Sequence, residues 1–261
     1  FEGDSEDANV ISYCSDSNNS KSICFQSGGF SNNTAKACFY KMNMNFFLTW
    51  GNYYKNKLQK INPKPLFINI GNPTIKKVKN KSNGNIVFLM QQGSNFVMEG
   101  EIKDLLKLVK FIRKKTDKKI IIRKHPNDLS NTYTKKNIGV MNISIHDPKD
   151  YTLHDSLKDC DLALTIRSSA IIEAGRMGII PLMLNNSKFR YEKNIEKLRY
   201  FNNLNLIGNY SQITSSLKKI FKLKNKKIFK NKIIENFKEN VCSIDILATK
   251  KISYFIRKYN I

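Results

Sequence analysis

The residues with the means to do chemistry follow apolar runs of strand length. His125 precedes Pro126 at the end of "KIIIRK" (Lys119 to Lys124). Arg167, Ser168, Ser169 and Glu173 lie in "TIRSSAIIEAGRMG" (Thr165 to Gly178), between the runs "CDLALTI" and "IIPLML". A serine pair that opens a helix offers hydroxyls and unpaired amides to an anion, and an adjacent arginine adds a fixed charge suited to phosphate. A histidine in reach of the same anion can contact a phosphate oxygen and, when protonated, stabilise charge developing on a leaving group. Glu173, about one turn into the helix, can reach a ribose hydroxyl. Each residue also has a plainer reading: the serines only cap, Arg167 points out of its loop, His125 ends a strand, and Glu173 faces solvent.

These groups act together only if a scaffold brings them to one edge. From Gly84 onward the chain alternates strand and helix: "NIVFLMQ" (Asn85 to Gln91), then "EGEIKDLLKLVKFIRKKTD" with Ile102, Leu105, Leu106, Val109 and Ile112 at helical spacing. "KIIIRK" stops at His125-Pro126, because proline disfavours helix before it and cannot donate to a ladder. "VMNISI" (Val140 to Ile145), the short helix "YTLHDSLKDC", the strand "DLALTI", a helix opening at Ser168-Ser169 and the strand "IIPLML" follow. Near-continuous apolar strands with helical crossovers indicate a parallel sheet covered on both faces. In such a sheet, ligands bind at the carboxyl ends of the strands. His125, Ser168-Ser169 and the loop from Gln91, with Gln92, Gly93 and Ser94, are therefore expected to converge.

Upstream, residues 1–70 have the pattern of a partial second unit. "ANVISYCSDSN" is helical, "KSICFQSGGF" is a strand ending in glycines, "NFFLTWGNYYKNKLQK" is a strand and helix, and "PLFINI" is a strand stopping at Gly71 to Pro73. "IKKVKNKSN" (Ile75 to Asn83) is polar, basic and linker-like. From Gln212 the tail reads as a pair of basic amphipathic helices, with Phe229, Ile233 and Phe237 at successive i+4 positions. Such helices either pack their stripe on the sheets or lie on anionic lipid.

Composition narrows the function classes. With 261 residues the chain can bury one large core or two smaller ones. No apolar run approaches the ~20 residues that span a bilayer. The net charge of +24 fits a nucleic acid, an anionic membrane or a polyanionic substrate. The lysines, however, are spread along the chain with an excess of Asn and Ile, as codon bias toward A and T produces. No RNA-recognition signature, zinc finger or basic arm is present, so nucleic-acid binding is not expected. Five scattered cysteines (Cys14, Cys24, Cys38, Cys160, Cys242) without a CxxC pair read as reduced core thiols of a cytoplasmic protein. His146 and His154 read as structural. No metal-ligand spacing, Walker loop, GxGxxG or GxSxG is found, so no metal or cofactor is expected. The chain begins at Phe1, and "FEGDSED" reads as a strand end entering a loop, as in the C-terminal part of a longer protein.

Taken in order, these segments resemble the GT-B-fold glycosyltransferases, especially bacterial enzymes that build surface polysaccharides such as capsule. "FLTWGNYYKNKL" with "INIGNP" is similar to the end of the N-terminal Rossmann-like domain and its crossover. "RKHP" is similar to the HP motif of GT-B sialyltransferases and polysialyltransferases. "LALTIRSSAIIEAGRMGIIPLML" is similar to their Ser/Thr motif, and to the matching segment of capsular Kdo transferases and teichoic-acid glycerophosphotransferases. The resemblance covers roughly residues 1–184. It implies an α/β, GT-B-like chain of two Rossmann-like parallel-sheet domains, the N-terminal one incomplete. Residues 1–74 would be the last portion of the acceptor domain, 75–83 a linker, 84–211 the nucleotide-sugar-binding domain, and 212–261 the basic helices.

By the same resemblance, His125 is the catalytic residue, binding the donor phosphate and assisting departure of the nucleotide. Ser168 or Ser169 would bind the donor phosphate with it; from their own chemistry and place after strands, Arg167, Glu173, Gln92, Gly93 and Ser94 are further donor-binding candidates, and Gln26, Gly28 and Asn72 are candidates for an interdomain role. The implied reaction is inverting, metal-independent transfer from a nucleotide-sugar donor, CMP-sugar favoured, to a polysaccharide or lipid-linked acceptor. It would take place in the cytoplasm, with peripheral contact to the inner face of the membrane as an added possibility. The family's acidic-acidic-Gly base motif is not matched by "EGD" (Glu2 to Asp4), and Ser27 stands where many relatives have His, so the general base is unassigned. The alternatives are a CDP-glycerol-type glycerophosphotransferase, a UDP-sugar 2-epimerase and a non-catalytic basic scaffold at the membrane.

Overall fold

The computed structural model describes residues 6–26, 36, 39–72, 83–91, 99–126, 128, 133–166, 168–185, 200–201, 204–224, 226–240 and 248–259. The chain divides into two compact units: Phe1–Lys77 with Glu192–Asn194 and Glu235–Ile261, and Val78–Tyr191 with Ile195–Ile234.

In the first unit, α1 (Glu6–Ser17) leads to β1 (Ile23–Phe25), β2 (Phe46–Thr49), α2 (Asn52–Ile61) and β3 (Leu66–Asn69). The strands form a parallel sheet in the order β1-β2-β3. All four residues of β2 are buried, as its unbroken apolar run requires. Tyr54 and Leu58, four residues apart, give α2 one fully buried stripe. Phe46, Leu48 and Ile70 pack against Phe255 of the last helix, Ala248–Lys258, with Phe46 and Phe255 edge to face at 5.0 Å.

The second unit runs β4 (Asn85–Leu89), α3 (Glu99–Arg113), β5 (Ile120–Arg123), α4 (Lys135–Ile138), β6 (Ile143–His146), α5 (Leu153–Leu157), β7 (Cys160–Thr165), α6 (Ala170–Arg176) and β8 (Ile180–Leu184). A small antiparallel pair, β9 (Tyr200–Phe201) and β10 (Leu204–Asn205), precedes β11 (Ile207–Gly208), α7 (Tyr210–Phe221) and α8 (Lys226–Asn240). The six-stranded sheet is parallel throughout, in the order β6-β5-β4-β7-β8-β11. Counted from β4, this is the dinucleotide-binding order 3-2-1-4-5-6, in which the winding reverses between the first and fourth strands. Leu105, Leu108, Val109 and Ile112 form the buried stripe of α3. Gly178 ends α6 at φ +76, a conformation open to glycine, and a Cβ there would meet Ile234 Cδ1 at 2.7 Å.

Several expectations change in detail. β6 begins at Ile143 rather than Val140, because Asn142 takes a left-handed turn at φ 56 and Met141 is 84% exposed. The described residues of the tail form three helices rather than a pair. The first starts at Tyr210, since Asn209 and Gln212 cap it reciprocally. Phe229, Ile233 and Phe237 are buried, following their spacing. β9, β10 and β11, two residues each, leave no periodic signal. Cys24 and Cys160 are buried, but Cys14 is exposed on α1 and is not a core thiol; Cys38 and Cys242 lie outside the described residues. So does most of the linker-like stretch, residues 75–82.

Candidate functional site

A cleft of about 270 Å³ opens at the carboxyl edge of the six-stranded sheet, where the winding reverses. Arg123, Lys124 and His125 enter it from the end of β5, and Ser168, Ser169 and Glu173 from the β7–α6 connection. Leu89 and Met90, ending β4, contribute an apolar wall. The structure thus brings His125, Ser168, Ser169 and Glu173 together. Arg167, Gln92, Gly93, Ser94 and Gly28 lie outside the described residues. Gln26 and Asn72 belong to the first unit and are buried. Gln26 donates its N–H to Leu48 O at 3.0 Å and accepts from Trp50 N at 2.8 Å through Oε1, which fastens the chain after β1 to β2 and to the residue that follows it.

The two serines have different tasks. Ser169 occupies the N-cap position of α6 with helical dihedrals and makes no side-chain cap. The hydroxyl that meets the helix belongs to Ser168, which accepts from Ala170 N at 3.3 Å. Ser168 N donates in turn to Thr165 Oγ1 at 3.1 Å, so the turn into α6 is anchored on the end of β7. The plainer reading, in which the serines only cap the helix, holds for one of them: the Ser169 hydroxyl is not used as a cap.

The charges facing the cleft are partly removed from water. Burial pushes the Glu173 carboxyl above its ordinary range, and the positive charge of Arg123 opposes the shift. Burial also lowers the Arg123 guanidinium, against the attraction of Glu173, Asp147 and Asp155. Lys124 faces Asp147 at 3.5 Å. Behind Arg123, His146 is 5% exposed, its Nδ1 lies 3.0 Å from Ser156 Oγ, and its ring stacks on Tyr151 at 4.0 Å. Burial, reinforced by Lys119 and Arg123, depresses His146 to about 4, so the ring is neutral near pH 7. Tyr133 donates its buried hydroxyl to Gln91 O at 2.8 Å, which pins the start of the loop after β4. Burial, then Asp128, pushes that phenol up to about 12.

Sequence reasoning missed Arg123. Its signal is present in "KIIIRK", where a charged residue sits inside an otherwise apolar, fully buried strand. Among the described residues no group of three His, Cys, Asp or Glu side chains is placed to hold a metal ion. Likewise, no described helix is long and apolar enough to cross a membrane.

No protein-family model matches the chain, and no curated protein matches its sequence. Solved structures do match. The UDP-GlcNAc 2-epimerase of Neisseria meningitidis, bound to UDP-GlcNAc, is similar with a TM-score of 0.64 over 98% of this chain and 75% of that one, at 16% identity. The wall teichoic acid polymerase TagF is similar with a TM-score of 0.52 over 85% of this chain and 60% of that one, at 17% identity. Arabidopsis thaliana UGT89C1, complexed with UDP, gives 0.58 over 95% and 69%, at 12% identity. At such identities the likeness is one of fold. The chain has the α/β fold of GT-B glycosyltransferases and UDP-GlcNAc 2-epimerases, with a parallel sheet in each of its two units.

Proposed function

We propose that this cleft holds a nucleotide-activated sugar and that the protein is a glycosyltransferase. The supporting observation is the convergence of His125, Ser168, Ser169 and Glu173 at the winding reversal of a sheet with dinucleotide-binding strand order. A carboxylate in a half-buried wall can accept from ribose hydroxyls, which is the role given to Glu173. The serine hydroxyls and His125 take the donor phosphate. Direct displacement forms the bond from the acceptor oxygen to the sugar carbon and breaks the bond to phosphate; the acceptor hydroxyl releases its proton to solvent, and the preorganised donors of the cleft absorb the phosphate charge. A growing surface polysaccharide or a lipid-linked sugar is the acceptor in this reading.

The "RKHP" resemblance favours a CMP-sugar donor. The UDP ligands named for two of the similar structures bring UDP-sugars into the same test. Epimerisation is the second reading, because the Neisseria epimerase is similar over 98% of this chain. The likeness to TagF keeps a CDP-alcohol donor as the third. Calorimetric titration with CMP, CDP, UDP and GDP, on the wild type and on His125→Ala, tests all three. Saturable binding of one nucleotide, weakened by the substitution, is expected; binding of none of them overturns the reading. Incubation of the matching nucleotide-sugar without acceptor then separates the activities, since only an epimerase inverts the sugar carbon under that condition.

A further inference from the structure

Arg123 is the last residue of β5 and is 9% exposed. Its Nη1 donates to Tyr151 O at 2.9 Å, Thr152 O at 3.2 Å and Ser156 Oγ at 3.1 Å. Ser156 is fixed in turn by His146, which is paired with Arg123 in the β5–β6 ladder and stacks on Tyr151. Thr152 and Asp155 close the turn with a reciprocal cap. The chain from 151 to 156 therefore wraps around one nitrogen of the guanidinium.

All three acceptors on that nitrogen are neutral. Among the described residues no carboxylate lies within 4.0 Å of Arg123, whereas the neighbouring Lys124 has Asp147. Carbonyls and a hydroxyl thus meet the hydrogen bonds of Nη1, while the carboxylates of Glu173, Asp147 and Asp155 attract the guanidinium only from beyond 4.0 Å. Such an arrangement is stable enough to persist when the geometry over-determines it, and it leaves the charge available to an anion entering the cleft that Arg123 lines.

We propose that Arg123 is a phosphate-binding residue of this cleft, pre-oriented by segment 151–156 to meet a phosphate of the nucleotide. The assignment rests on the nucleotide-binding reading above. It gives phosphate a planar donor beside His125 and the serines, and it explains a buried, hydrogen-bonded arginine at the end of an apolar strand.

The test compares nucleoside with nucleotide on the same protein. Cytidine, uridine, CMP, CDP and UDP are titrated calorimetrically into wild type, Arg123→Gln, Arg123→Lys and Ser156→Ala. Loss of a charge-assisted contact should weaken nucleotide binding to Arg123→Gln by roughly 10- to 100-fold, with nucleoside binding unchanged. Arg123→Lys should recover part of the loss. Ser156→Ala, which keeps the charge but loosens its hold, should shift the nucleotide-to-nucleoside ratio in the same direction by less. A folded Arg123→Gln that retains the wild-type ratio overturns the proposal. Should that variant fail to fold, an unchanged ratio in Ser156→Ala overturns it instead. A wild type that binds no nucleoside and no nucleotide refutes the underlying cleft reading, a result distinct from either.

Discussion

Thr165 Oγ1 donates to the Leu89 carbonyl at 2.8 Å, joining the end of β7 to the end of β4 at the point where the sheet reverses its winding. The same oxygen accepts from Ser168 N. Thr165→Val keeps the shape and removes both bonds, leaving a buried carbonyl and amide to find other partners. The expected loss is about 1–3 kcal/mol of stability, read as a lower urea midpoint at unchanged m-value. Thr165→Ser should stay closer to wild type. A Val variant as stable as wild type would mean that the hydroxyl does not hold the reversal together.

Glu173 should stabilise ligand at the expense of the empty fold. Its folded pKa lies above the ordinary 4.5, with burial the first cause. The folded state therefore keeps the proton longer than the unfolded chain does. The group's contribution to stability is complete below the unfolded pKa and is lost as pH rises through the folded one. Glu173→Gln is expected to unfold at pH 7 no earlier than wild type, to flatten stability across the weakly acidic range, and to bind nucleoside more weakly. Thermal unfolding from pH 4 to 8 and a cytidine and uridine titration check the two halves separately.

His146 predicts an opposite slope. Its pKa is about 4 when folded against an ordinary 6.5, so between those values the unfolded state binds the additional proton. Stability from this group is present above pH 6.5 and is lost as pH falls toward 4, with a slope of at most about 1.4 kcal/mol per pH unit. His146→Gln should remove that slope. If urea midpoints of wild type and variant run parallel from pH 7 to 4, the ring is not held neutral in the fold.

Gly178 combines a positive φ with a close approach. Gly178→Ala is expected to lose about 1–2 kcal/mol from the backbone conformation alone, and more from contact with Ile234 Cδ1 at 2.7 Å. Ile234 reaches Gly178 with the end of a flexible side chain, so Ile234→Val in the Ala background should return the steric part and leave the backbone part. A double-mutant cycle by chemical denaturation measures the split. Strict additivity would refute the contact.

Much of the fold could be read locally. The run "NIVFLMQ", the helical spacing in residues 99–113 and the stop at His125-Pro126 each match their elements, because burial periodicity and proline chemistry act over a few residues. The shift of β6 came from one asparagine in a left-handed turn, and the earlier start of α7 from a cap formed by Asn209 and Gln212. Both signals are short-range, yet they are weaker than the hydrophobic runs that obscure them.

Strands and helices alternate, and His125, Ser168, Ser169 and Glu173 follow strands, on the strength of the amino-acid order alone. These are consequences of local pattern. Which strands are neighbours is settled by long-range pairing, since β4 pairs with β7 across 76 positions of chain between Leu89 and Thr165. Long-range contact likewise places Arg123 in the cleft. Its acceptors lie 28 to 33 residues away, and a charge inside an apolar strand acquires a role only when distant backbone closes around it. Hydrogen bonds and burial between remote segments carry no period along the chain, which is why the place of Arg123 in the cleft emerged from the fold.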